Sequence, residues 1–161
     1  MPSSNFLNQR VEPGYTGPTP AEKRPNQLFT TINDVLCAPL SRGRTHITSS
    51  LPHTLPAVDP NYYAHPLDVA AHVASVKLAR KMLTSGPLGI GFLSEFEPGS
   101  NITTDAQIET WLRANVTSDN HETGTNAMLP EDLGGVVDTN LKVYGTANVR
   151  VVGEYSMASF A

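Results

Sequence analysis

Ser118-Asp119-Asn120-His121-Glu122-Thr123-Gly124-Thr125-Asn126-Ala127-Met128, with Gly135-Val136-Val137-Asp138 and Val143-Tyr144-Gly145 behind it, sets the fold of this chain: a polar loop centred on a histidine hands over to short apolar segments. Histidine titrates near neutral pH, so His121 has the chemistry to give and to take a proton. Spacing alone favours the plainer reading, an exposed histidine on a connecting loop. Asn120 and Glu122 flank it. Asp119 and Glu122 can orient or charge the ring, but Asp119 can equally cap a turn and Glu122 can simply be solvated. Gly124-Thr125 reads as the tight turn that presents the loop. Beyond it, Leu141 to Tyr144 and Asn148 to Val152 read as two short strands about Gly145-Thr146-Ala147.

Working outward, residues 1–26, with Pro2, Pro13, Pro18, Pro20 and Pro25 and no sustained periodicity, read as an irregular arm, and 27–161 is expected to be the folded domain. Leu28 to Leu36 alternates and is rich in β-branched residues, which predicts a strand, and Thr45 to Ser49 predicts its neighbour. Prolines at 52, 56 and 60 make the following stretch irregular until Asn61-Tyr62-Tyr63 reaches a helix. Pro66 suits its first turn and Asp68 complements the positive end of its dipole. Leu67, Ala70, Ala71, Ala74, Leu78 and Met82 are expected to form its buried face, with Lys77, Arg80 and Lys81 near the end and Gly86-Pro87 as the stop. Thr104-Asp105-Ala106-Gln107 has capping-box spacing and predicts a second helix, ending near Val116, with Ile108, Trp111, Leu112 and Asn115 along one side. The order of elements predicts an α+β fold, a mostly antiparallel sheet packed by two main helices.

These motifs together resemble the C-terminal signature of the glucose-methanol-choline oxidoreductases, in which an H-x-x-G-T-x-x-M run precedes G-V-V-D, V-x-G and a V-V-D-A-S-x-M-P strand. Ser41-Arg42-Gly43, Val58-Asp59-Pro60-Asn61-Tyr62-Tyr63, His65-Pro66-Leu67-Asp68 and Leu78-Ala79-Arg80-Lys81-Met82-Leu83 are similar to the family's substrate-domain segment, in the same order. The resemblance implies a substrate domain in which His121 stands as acid/base, and it reverses the plainer reading of that residue. The family's G-x-G-x-x-G turn, where glycines admit FAD pyrophosphate at a helix N-terminus, has no counterpart here; Gly86, Gly89 and Gly91 carry Pro87 among them and follow a helix. The last motif departs as well: Val151-Val152-Gly153-Glu154-Tyr155-Ser156-Met157-Ala158 replaces the family's aspartate with Gly153 and its proline with Ala158. The expectation is therefore a truncated, flavin-independent member, with no cofactor. Asn126-Ala127-Met128-Leu129-Pro130 and Lys142-Val143-Tyr144-Gly145 resemble its fungal secondary-metabolism branch.

A net charge of -4 without a lysine or arginine cluster argues against nucleic acid as a partner. The N-terminus shows no signal-peptide pattern and no apolar run reaches membrane-spanning length, so the expected location is cytoplasmic, without membrane association. Cys37 is the single cysteine, which excludes an internal disulfide. His46, His53, His65 and His72 have no metal-ligand spacing, so no metal is expected. The sequons at Asn101 and Asn115 carry little weight.

The functional expectation is a non-redox enzyme, a cyclase or pericyclase closing a ring on a polyketide-like natural-product intermediate. His121 would act as acid/base or hydrogen-bond donor, assisted by Asn120 and Glu122, while Trp111, Asn126, Met128, Tyr144 and Tyr155 shape the substrate pocket. The same side chains are equally readable as core, Trp111 especially. One alternative is half of a split FAD-dependent alcohol oxidase; another is a catalytically idle binding module. An apolar edge at Val149, Val151 and Val152 needs cover, which predicts a homodimer.

Overall fold

Pro66 opens the longest element, α1 (Pro66–Thr84), because its missing N–H has no intrahelical partner in the first turn; the computed structural model containing this helix describes residues 31–157. The buried apolar residues of α1 are Val69, Val73 and Val76, spaced at i, i+4 and i+7. The face expected from sequence is the other one. Leu67, Leu78 and Met82 are 61%, 56% and 47% exposed, and Ala70, Ala71 and Ala74 are exposed too. The helix is apolar over most of its circumference, so helical spacing is satisfied by two different faces and cannot choose between them.

The second helix, α2 (Asp105–Asn115), starts where its sequence says. Thr104 Oγ1 accepts from the Gln107 N–H at 3.3 Å, and Gln107 Oε1 accepts from the Thr104 N–H at 3.0 Å, closing a reciprocal capping box. Ile108 and Leu112 are buried and Trp111 is half-buried. Asn115, expected on that side, is exposed, and its Nδ2 donates to the Trp111 carbonyl at 2.8 Å. Between the helices, Arg80 braces the loop: Nε donates to Glu95 Oε1 at 2.9 Å and Nη2 to the Gly99 carbonyl at 3.3 Å.

Strand β1 (Arg44–His46) pairs antiparallel with β2 (Ala57–Asp59), Thr45 opposite Val58. The expected partner was Leu28 to Leu36. Residues 31–36 form no strand, and Leu28 to Thr30 lie outside the described residues, as does the arm at 1–26. β2 arises instead from the proline-rich stretch expected to be irregular. Pro56 and Pro60 flank the three-residue strand rather than enter it, so they take no ladder N–H from it. Further on, the expected strands meet only at their middles: Val143 N–H donates to the Val149 carbonyl at 3.0 Å and Val151 N–H to the Leu141 carbonyl at 3.1 Å. Fully buried Val137 bridges both Met128, in parallel sense, and Val143, in antiparallel sense. The architecture is α+β, two helices with a small antiparallel sheet. The described residues divide into two compact units: one joins the chain up to Leu36 with Val69–Thr117, the other joins Cys37–Asp68 with the chain from Ser118 onward.

Candidate functional site

The histidine loop belongs to the second unit, and Ser118 organises its start. The Ser118 hydroxyl accepts from the Asn120 N–H at 2.8 Å and donates to the Glu122 carboxylate. Asn120 sits at φ 60°, a left-handed conformation that asparagine tolerates better than most residues. The Ser118 hydroxyl, followed by a backbone N–H, holds the Glu122 carboxyl below its ordinary range against a smaller desolvation effect, and His121 adds to the lowering. His121 itself is open to solvent, with 72% of its side chain exposed, and its Nδ1 lies 3.4 Å from Glu154 Oε2.

Glu154 is brought there by a single 3-10 turn, Glu154–Ser156, that is pinned to the chain just after the histidine. Asn126 N–H donates to the Tyr155 carbonyl at 2.9 Å and Met128 N–H to the Ser156 carbonyl at 3.0 Å. The buried Ser156 hydroxyl donates to the Val151 carbonyl at 3.2 Å. Asn126 and Met128 thus enter through their backbones, with side chains half-buried. Tyr155 folds its ring back onto Gly153: a Cβ added to Gly153 would stand 2.4 Å from Tyr155 Cζ, and the Tyr155 hydroxyl donates to the Val152 carbonyl at 3.3 Å. With the ring in this position a side chain at 153 would meet it.

Behind the loop, two glycines permit close backbone approaches. A Cβ on Gly135 would collide with the Leu129 carbonyl oxygen, and one on Gly43 would stand 2.5 Å from the Asp59 oxygen. Asp68, expected only to complement the helix dipole, is buried and accepts from the N–H groups of Leu40 at 2.8 Å and Ser41 at 2.7 Å, and from the Ser41 hydroxyl. Ser41 Oγ in turn accepts from the His65 N–H at 2.9 Å. Burial acts to raise the Asp68 carboxyl, but the Ser41 hydroxyl and the two N–H groups, with His65, outweigh it and leave it lowered.

The residues expected to shape a substrate pocket fall in both units, Asn126, Met128, Tyr144 and Tyr155 in the one that carries the histidine loop. Trp111 belongs to the other unit, where with Ile102, Ala106, Thr110 and Ala114 it lines a shallow, open and mainly apolar hollow of about 450 Å³. The Tyr144 hydroxyl is occupied by the Leu129 carbonyl at 3.0 Å, and Tyr144 lines a hollow of about 120 Å³ beside Asp138 and Lys142. That volume is small against the roughly 300–1,000 Å³ of ordinary ligand pockets. His121 lines neither hollow. What the structure brings together is His121, Asn120 and Glu122 with Ser118 and Glu154, the last two being additions to the expected site residues. Among the described residues no three His, Cys, Asp or Glu side chains group as metal ligands, and no helix is long and apolar enough to cross a membrane.

The polar histidine loop, the valine bridges behind it and the contacts that tie Ser41 to Asp68 and His65 all lie in the second unit, and comparison with known proteins gives the family to which they belong. The family model for GMC oxidoreductases matches residues 39–159, and the chain belongs to that family. It is 42% identical over 136 residues to the GMC oxidoreductase family protein Mala s 12 of Malassezia sympodialis, covering 83% of this chain and 22% of that one. It is 36% identical over 126 residues to a glucose oxidase of Aspergillus carbonarius, covering 76% and 20%. Among solved structures, an FAD-dependent oxidoreductase from Chaetomium thermophilum superposes with a TM-score of 0.68 at 33% identity, over 74% of this chain and 21% of that one. A fungal aryl-alcohol oxidase gives 0.65 at 36% identity, over 74% and 20%. The chain spans about a fifth of the length of these relatives.

FAD is the cofactor that the family implies. Against the family pattern, the segment 153–155 carries a glycine and a tyrosine whose ring folds over that glycine, while His121 keeps the family's place on its turn.

Proposed function

We propose that this chain supplies the substrate-side acid/base of a GMC-type enzyme, transferring a proton at a hydroxyl or carbonyl of a small organic molecule. The observation that carries the reading is His121, held on a turn fixed by Ser118 and by the 126–128 pairing, with one ring nitrogen facing a carboxylate and most of its side chain exposed. A neutral imidazole there can take a hydroxyl proton; an imidazolium can return one to a carbonyl oxygen. Asn120 and Glu122 shape the turn that presents it.

Two finer readings divide on specific observations. Ring closure without redox change, on a polyketide-like intermediate, is supported by the Tyr155 ring over Gly153, which removes the family's aspartate from the place where flavin contacts are expected. Alcohol oxidation with FAD is supported by the names of the relatives and by the openness of His121, which suits a site completed against a further body of protein. The deciding experiment is assay of the protein purified from its source on primary and aryl alcohols, glucose and cyclisable keto-aldehydes, with flavin release on denaturation measured beside it. Oxidised product with released flavin selects alcohol oxidation, and an isomeric product from colourless protein selects ring closure. Binding of both classes with turnover of neither would overturn the proposal and leave an idle binding module.

A further inference from the structure

We infer that Glu154 is a positioning residue for His121, fixing which ring nitrogen carries the proton; the inference deepens the acid/base reading above and rests on it. At this position the family pattern has an alanine, so the contact is a feature of this chain rather than of the resemblance. Glu154 Oε2 stands 3.4 Å from His121 Nδ1 although 33 residues separate the two. The approach is enforced by backbone: the Glu154–Ser156 turn is tied to residues 126 and 128 by two N–H donors, five and seven positions beyond the histidine. Gly153 in extended conformation and the Tyr155 ring folded against it aim the turn.

A carboxylate accepts and never donates, so a neutral imidazole beside Glu154 places its proton on Nδ1. Nε2 then carries the free lone pair and is the atom that takes a substrate proton. The other charged groups of the loop are Asp119 and Glu122, the latter bonded to the Ser118 hydroxyl. Because the pair is exposed, its strength is that of a surface contact and the expected effect is correspondingly modest.

The test is a two-bond ¹H–¹⁵N correlation spectrum of the imidazole groups in the full chain, recorded at alkaline pH where the rings are neutral. In the wild-type protein His121 shows protonated Nδ1 and bare Nε2. Glu154→Ala shifts the tautomer ratio toward protonated Nε2 by about two- to fivefold, while Glu154→Gln, which keeps an acceptor oxygen, and Glu122→Gln both retain the wild-type pattern. An identical pattern in wild type and Glu154→Ala overturns the inference. The spectrum reports the contact whether or not His121 is catalytic, so loss of the acid/base reading, through unchanged turnover in His121→Ala, is distinguishable from loss of this one.

Discussion

Asp68 shows how one side chain can hold a site's framework. It satisfies two N–H groups and one hydroxyl from Leu40 and Ser41, and Asp68→Ala strands those donors in a partly buried place. The expected loss is about 1–3 kcal/mol, measured by urea unfolding. Its pH dependence follows from direction alone. The folded carboxyl lies below its ordinary value, so its stabilisation is fully present above the unfolded value and is lost as pH falls through the folded one. Melting temperature should therefore drop more steeply for wild type than for Asp68→Asn as pH is lowered from about 6 to about 3. Equal slopes would show that the hydrogen bonds do not stabilise the ionised form. Gly135 is as sensitive for a different reason, steric rather than electrostatic. A methyl group there meets the Leu129 oxygen, and Gly135→Ala should cost about 1–3 kcal/mol in the same assay.

Among the elements, α2 was legible from sequence and α1 was only half so. The capping box at Thr104 and Gln107 is a local device whose partners lie three residues apart, and the structure closes it as the spacing requires. Thr104→Ala should lower stability by about 1 kcal/mol, and a double-mutant cycle with Gln107→Ala should show the two effects to be coupled rather than additive. The extent of α1 was equally plain from Pro66 and Gly86, but its buried side was not. Alanines and leucines at helical spacing describe one face and the valines at 69, 73 and 76 describe another; which face is covered depends on the rest of the fold and leaves no mark in the period. β2 was missed because prolines at 56 and 60 read as a break, whereas they bound a strand short enough to fit between them. In the site, His121 and its neighbours were visible in the motif. The pairing of Glu154 with His121 was not, because its place is set by backbone bonds from Asn126 and Met128 that any residue type can donate.

At the scale of the whole molecule, apolar surface remains to be accounted for. Leu67, Leu78 and Met82 on α1 are exposed, as are Val149, Val152 and Met157 near the last turn. Scattered exposed apolar residues are ordinary, but Val149 and Val152 lie on the edge that the sequence marks as needing cover. We propose pairing with a second copy, so size-exclusion with light scattering should give the mass of two chains; the mass of one chain at micromolar concentration would refute it. The central claim, that His121 is the proton-transferring group, is tested most directly by His121→Ala assayed on whichever alcohol or carbonyl substrate the wild-type protein turns over. The ring is exposed, so melting temperature should stay unchanged while kcat/KM falls by about 100-fold or more. A variant that folds normally and keeps its kcat/KM within about twofold of wild type would contradict the account.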